Sequence, residues 1–335
     1  MESKQIQFCP SIYEHAARVI GKSPWEVSRD VELLSKAHTE AYRLYGHRPV
    51  VVGIDIYNLE AEAYGAVVGR AAGNAIPAIR EYPCSSAREL LSLKPFDPKT
   101  AGRIPMVIEA AKRVRENYPD ADVRIPLSGP FSLAANLVGF ENLLCEIHIN
   151  PDLAAEALRH LVAGQVEFCK EVVRNGLDIA FFESAATPPL LSPQQFRRIE
   201  LEALKAIMRK TAAVVGHPVP CIMGGDTLPI LDDILQTRTG YVCCPAKTDQ
   251  RKFMEKMRDR PEVTVRINMD ARAITSKNIG EIEKEVDRIL ALADNRPNAS
   301  PEHGRRVCIG TGCLPYEAEP EVVLKTKQYI LSNNV

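Results

Sequence analysis

Short runs of β-branched and other apolar residues recur along this chain, and longer segments with apolar residues at helical spacing separate them. That switching of period is what successive βα units and a parallel sheet produce. Eight runs can be traced: VVVGIDI from Val50 to Ile56, AIPAIREY from Ala75 to Tyr82, then runs that start at Asp122, Asp178, Val219, Tyr241, Val263 and Arg306. Eight strands with helices between them predict a (β/α)8 TIM barrel rather than an open sheet. The helical stretches carry their own punctuation: Pro151 opens one and Gly176 ends it, and another fills residues 278–295. Ahead of the first run, Ser11 to Tyr45 reads as helical, with Ser23 as an N-cap and Pro24 at the first helical position. Residues 1–48 are therefore expected to be an N-terminal helical extension packed on a single barrel domain spanning 1–335. Asn295 to Arg305, rich in Pro, Asn and Gly, reads as a loop before the last strand.

The charge balance narrows the partners. Lys plus Arg number 42 against 43 for Asp plus Glu, so no basic excess exists to neutralise a phosphate backbone, and nucleic acid is not an expected partner. No apolar run reaches membrane-spanning length, and the opening MESKQIQFCPSIYEH has neither the basic nor the apolar region of an export signal, so a cytoplasmic location is expected. Nine Cys at irregular spacing, with no CxxC pair, suggest reduced thiols rather than a disulfide framework or zinc ribbon. Neither GxGxxG nor a P-loop nor HExxH is present, which leaves nucleotide-cofactor and zincin readings without a motif.

In a barrel of this kind the active site lies at the C-terminal ends of the strands. The residues there are Asp55 and Tyr57, Ser128 to Phe131, Glu183, Met223 to Thr227, Cys243 and Cys244, Asn268 and Asp270, and Gly310 to Cys313. Asp55 follows an apolar run, where an unpaired charge is costly; it is either a general acid or substrate clamp, or one half of an ion pair with an Arg. Glu183 follows two Phe residues, whose apolar surroundings raise a carboxyl pKa toward that of a working acid. Glu60 and Glu62 open a helix and are as readily solvated first-turn acids as site residues. Of Cys243 and Cys244, strand alternation allows only one to face the interior. His15, His38, His47 and His217 read as packing or surface histidines.

These strand-end motifs resemble the uroporphyrinogen decarboxylase superfamily. GIDIYNLEAEAYG around Asp55 is similar to its first-strand aspartate segment, and the EAEAYG run to the related corrinoid methyltransferases. SGPFSL at Ser128 to Leu133 is similar to its Gly-Pro-aromatic turn, GGDTLPIL to the stretch after the fifth strand, and GTGCLPYEAEPEVV to its closing motif. The decarboxylase's Arg-rich N-terminal motif is not evident before Gly46. Methylcobamide:thiol methyltransferases resemble the chain too, but their zinc-binding His and Cys positions here read Ile222 and Gly224, leaving Cys313 alone. The opening IYEHAARVIGKSPWEVSRD is most similar to the methyltransferase components of O-demethylases.

That resemblance implies transfer of a methyl group from a methoxyarene to a Co(I) corrinoid (cobalamin) on a separate carrier protein. Asp55, Tyr57 and Glu183 are then the catalytic candidates, because a phenolate leaves more readily once its oxygen is protonated. Asn58, Phe131, Phe182, Met223, Gly224, Asp226 and Cys313 are the substrate-binding candidates. Any metal, zinc included, would fall to Glu183 and Cys313, although the usual ligand motif does not support one. The expected partners are the corrinoid carrier and a small aromatic methyl donor, and a homodimer is left open. A decarboxylase-type lyase, a methylcobamide:thiol methyltransferase and a silent corrinoid-binding barrel are the alternatives.

Overall fold

The computed structural model describes residues 6–294 and 306–333; the loop expected at Asn295 to Arg305 lies outside them. Eight strands make one sheet: β1 Gln7–Ser11, β2 Val50–Val51, β3 Val123–Ser128, β4 Asp178–Glu183, β5 Cys221–Met223, β6 Tyr241–Cys244, β7 Thr264–Met269 and β8 Val307–Cys313. Their order is β2-β3-β4-β5-β6-β7-β8-β1, and every ladder is parallel. With helices around the outside, this is the TIM barrel that the strand count predicts.

Strand alternation divides the side chains into two cores. Ile179 and Phe181 of β4, Cys221 and Met223 of β5, Val242 and Cys244 of β6, and Val265, Ile267 and Met269 of β7 pack outward against the helices in one large cluster. The intervening residues Ala180, Phe182, Ile222 and Cys243 instead join Tyr13, Val51 and Ile56 in a smaller cluster. Since Tyr13 follows β1, Val51 belongs to β2 with Ile56 just after it, and the other four come from β4 to β6, that cluster can form only if the sheet curls round on a shared lumen. Cys243 faces in and Cys244 out, as alternation requires.

Two expectations need correction. AIPAIREY is not a barrel strand: Ala78–Glu81 pairs antiparallel with Val67–Gly69 in a hairpin beside the barrel, most of whose side chains are exposed. The true first strand is Gln7–Ser11, inside the segment read as a helical extension. QFCPS has no β-branched residue and contains Pro10, so its composition gives little strand signal; parallel pairing with β8 stabilises it instead. The helices Glu14–Val19, Pro24–Val27 and Val31–Tyr45 are thus the first connection between strands, not an appendage.

Among the described residues no ladder joins β1 to β2, and side chains span that seam. Arg103, at the head of helix Ile104–Asn117, makes two hydrogen bonds to Asp55, 2.8 Å to Oδ1 and 2.7 Å to Oδ2. It also donates to the Ser28 carbonyl at 2.9 Å and pairs with Glu62, to which Arg29 is bonded as well. On the same seam the Gly53 amide donates to His38 Nε2 at 3.1 Å. Ser28, Arg29 and His38 belong to the first connection, whereas Gly53, Asp55 and Glu62 follow β2. The network therefore does the joining that a two-residue β2 leaves undone. Breaking a buried pair strands a charge and costs about 3–5 kcal/mol, while replacing both partners by apolar groups is often near neutral. Urea unfolding should accordingly show a loss of about that size for Asp55→Ala and partial recovery in Asp55→Leu/Arg103→Met; a double variant no better than the single one would argue against this account.

The connection also buries three histidines. Burial holds His15 and His38 at pKa about 4 and His47 at about 3. His47 is 1% exposed, and neither ring nitrogen has a hydrogen-bond partner. In the unfolded chain these groups bind protons below about pH 6.5. Their stabilising contribution is therefore complete above that pH and is lost as pH falls toward the folded values. Removing one such group should flatten the acid slope by about 1.4 kcal/mol per pH unit. Denaturation of His47→Phe between pH 6 and 4.5 should show that flattening relative to the unsubstituted protein, and an unchanged slope would mean that His47 already takes up a proton when folded.

Candidate active site

At the C-terminal ends of the strands the sequence candidates fall into three groups. The first faces the lumen. Phe182, 3% exposed, meets the Tyr13 ring edge-on with centroids 5.8 Å apart, and Tyr57 packs on the same cluster from above. Cys313 at the end of β8 reaches solvent although protein surrounds it, and burial pushes its thiol up to about 12. Burial also raises the Tyr57 phenol well above its usual value; Ser184 opposes this by hydrogen bonding, while Cys313 and Glu183 add to it through their charges. Tyr57 therefore stays an O–H donor at neutral pH. Gly224 is half-buried, and nothing but Ser184 Cβ lies within 4 Å of where its own Cβ would be, which leaves open space at the rim.

The second group lies behind the sheet. Glu183, fully buried, turns away from the lumen toward helix Pro130–Val138. Its Oε2 accepts the Ser132 amide at 3.1 Å, and its Oε1 accepts the Ala185 amide at 3.2 Å together with the Ser132 hydroxyl. A carboxylate over the first turn of a helix is favourably placed. Burial raises its pKa, and the Ser132 and Ala185 bonds pull it back. Gly129 makes this seat possible, since a Cβ there would lie 2.0 Å from Glu183 Oε2. Beyond it Glu200 is also fully buried, with no hydrogen-bond partner for either oxygen, and burial first and Glu183 second raise its pKa well above the carboxyl range. Glu60 is buried likewise: it accepts the Ser128 amide at 2.6 Å and the Gln165 side chain at 3.3 Å, and burial holds it at about 7.

The third group is structural by its contacts. Asp55 is committed to Arg103, and Asn58 donates to Asp55 at 3.2 Å and to the Pro77 carbonyl at 2.7 Å. Phe131 and Met223 belong to the outer cluster and do not line the lumen. Asp226 accepts the Thr248 hydroxyl at 2.6 Å and so ties the loop after β5 to the one after β6. Strand-end position alone gathers Tyr57, Phe182, Gly224 and Cys313 at the mouth but not the other candidates.

The metal ligands inferred from sequence do not fit a metal. Glu183 spends its oxygens behind the sheet while Cys313 opens on the mouth, and among the described residues no group of three His, Cys, Asp or Glu is placed to hold an ion.

Sequence position does not single out Tyr13 or Arg266, whereas Gly310 is among the strand-end residues. Arg266 is 4% exposed in mid-strand and Asn268 follows at the same parity, 6% exposed. The signal for the pair was present in VTVRINM, where polar residues two apart in an apolar strand mark a polar inner face.

Comparison with curated proteins by sequence finds no match. Among solved structures, a methyltransferase from Methanosarcina mazei superposes with a TM-score of 0.81 at 22% identity, over 98% of this chain and 94% of that one, a likeness of fold. Xylanase B from Clostridium stercorarium F9, with a TM-score of 0.31 at 13% identity over 58% of this chain and 56% of that one, supports no argument. The family model for uroporphyrinogen decarboxylase (URO-D) matches residues 6–323, and the chain belongs to that family.

Proposed function

We propose that this member of the family is a methyltransferase that takes the methyl group of a methoxyarene and passes it to a Co(I) corrinoid on a separate carrier protein. The observation that carries the choice is the lining of the lumen. Tyr13, Tyr57, Phe182 and Ile222 supply aromatic and apolar walls, suited to a small arene. Of the two arginines on inward strand positions, Arg124 is engaged by Asp122 and Asp178, and among the described residues Arg266 has no carboxylate partner. A porphyrinogen with several carboxylates would need more cations than that, which disfavours the decarboxylase. The thiol methyltransferase is disfavoured by the zinc ligands that Ile222 and Gly224 replace.

The corrinoid, as co-substrate, accepts the methyl as a cation, and the bond between methyl carbon and aryl oxygen breaks with its electron pair left on oxygen. The leaving phenolate then needs one proton. Tyr57 supports this role best: it sits at the mouth, stays protonated, and is half-buried so that solvent can restore its proton. Glu183 supports the turn Ser184–Ala185 beside Tyr57 instead of touching the substrate. Asp55, bound by Arg103, is a poor acid candidate.

Mixing the protein with a Co(I) corrinoid carrier and a methoxybenzene should give the methyl-Co(III) spectrum. Tyr57→Phe should slow that transfer by about 10²–10⁴-fold, the usual worth of a positioned proton donor, with unfolding unchanged within ~1 kcal/mol. Silence with every aryl methyl ether, alongside release of carboxylate from a porphyrinogen, would replace this reading with the lyase. Gly129→Ala should displace Glu183, cost about 1–3 kcal/mol through overpacking, and lower the transfer rate; a variant as active as the parent would remove Glu183 from the site.

A further inference from the structure

Arg266 is a buried cation without an acid. Its guanidinium reaches Cys243 Sγ at 3.6 Å, its Nε has no hydrogen-bond partner, and among the described residues no carboxylate lies within ion-pair distance of it. Next to it Asn268 donates to Cys243 Sγ at 3.0 Å, and its Oδ1 is unpartnered too. The rest of the surroundings are neutral in their ordinary forms: Tyr241, Tyr13, Cys308 and Cys243. Removing a charge from water without a counter-charge is costly enough that buried cations are nearly always paired.

The direction of the side chain shows where the counter-charge belongs. Arg266 faces Cys243 and Cys308 across its ladders, and Gly310 sits one inward position nearer the mouth, opposite Asn268. A Cβ on Gly310 would lie 2.5 Å from Arg266 Cδ, 2.7 Å from its Cγ and 2.6 Å from Asn268 Oδ1. The arginine stem therefore rises past Gly310 toward the mouth, through space that only glycine leaves free. Above it, Gly312 has nothing within 4 Å of a built Cβ, and Cys313 reaches solvent.

The geometry points to Arg266 and Asn268 as the anion-binding floor of the mouth, a site for a carboxylate carried by the aromatic substrate, with Gly310 as the residue that admits the guanidinium. Such a ligand would lie with its charged end on Arg266 and its ring against Phe182 and Tyr13, leaving the opposite end near Tyr57. This places a specificity determinant in the proposed methyl-transfer site and rests on that reading only for its kinetic consequence.

Binding is tested first, on the protein alone. Benzoate should raise the melting temperature and bind measurably by calorimetry, whereas benzamide and acetate, lacking the charge or the ring, should do neither at the same concentration. Arg266→Met should weaken benzoate at least tenfold and, since it removes an unpaired buried charge, should melt no lower than the parent without ligand. Gly310→Ala, which leaves the arginine in the sequence but takes its path, should weaken benzoate as well. In the transfer assay, Arg266→Met should raise KM for 4-methoxybenzoate about tenfold and leave KM for methoxybenzene unchanged. Benzoate binding that survives both variants, or none to the parent, overturns the assignment whatever the transfer assay shows. Acetate as effective as benzoate would make the site one for free anions and overturn the substrate role. Loss of stability in Cys308→Ala with no benzoate binding would make a Cys308 thiolate the counter-charge, which also overturns it.

Discussion

Arg103 holds together the part of the barrel that backbone hydrogen bonds leave open. Seven parallel ladders fix eight strands in order, but the two-residue β2 offers no ladder to β1 among the described residues. A barrel gains its stability from having no edges, so an unladdered seam must be covered by something else. One guanidinium that reaches Asp55, Glu62 and the Ser28 carbonyl covers it, with His38 on the Gly53 amide beside it. Tyr57 lies two residues beyond Asp55, so the same contact that closes the seam sets the position of the mouth phenol. This is also why an aspartate at a strand end, the place where catalytic acids collect, can be structural here: the charge is neutralised behind the strand before it can face a ligand.

Most of the architecture was legible because period is a strong signal and parity within a strand is rigid. Runs such as DIAFFE are apolar enough on both faces to be recognised, since a parallel sheet buries both, and VTVRINM is marked by the β-branched residues of its outer face. QFCPS was not legible, because a short terminal strand owes its existence to the partner that receives it. AIPAIREY misled for the opposite reason: it has the residues of a strand and becomes one, yet pairs locally in a hairpin instead of entering the barrel. Local propensity cannot distinguish those two outcomes.

The site was less legible than the fold. Strand-end position selects the right level of the barrel but not the right side of the sheet. Phe181, Phe182 and Glu183 could be assigned to the lumen in either parity from sequence; the structure puts Phe182 in and its neighbours out. That single choice removes Glu183 from direct contact with a ligand and leaves it as a buried carboxyl capping the helix after β3. Met223 and Phe131 go outward by the same rule or by helix packing. Tyr57 and Cys313, which lie beyond the last paired residue or at its end, escape the strict alternation and reach the mouth.

The distribution of charge then gives the lumen its character. Of the carboxyl groups at this end, Glu60, Glu183 and Glu200 are fully buried on the helix side, Asp55 is bound by Arg103 and Asp226 accepts the Thr248 hydroxyl. Among the described residues no barrel strand presents a carboxylate to the lumen at the level of Arg266, and thiols and phenols surround it instead. A cation in that setting exerts an attraction that water and protein do little to screen, because the effective dielectric is low and no internal acid opposes it. Glycine at 310 is the complementary condition, since any side chain there would turn the arginine aside. Selectivity for charge in this barrel is thus set by what is missing from two positions, an acid near residue 266 and a Cβ at residue 310, more than by any group added at the mouth.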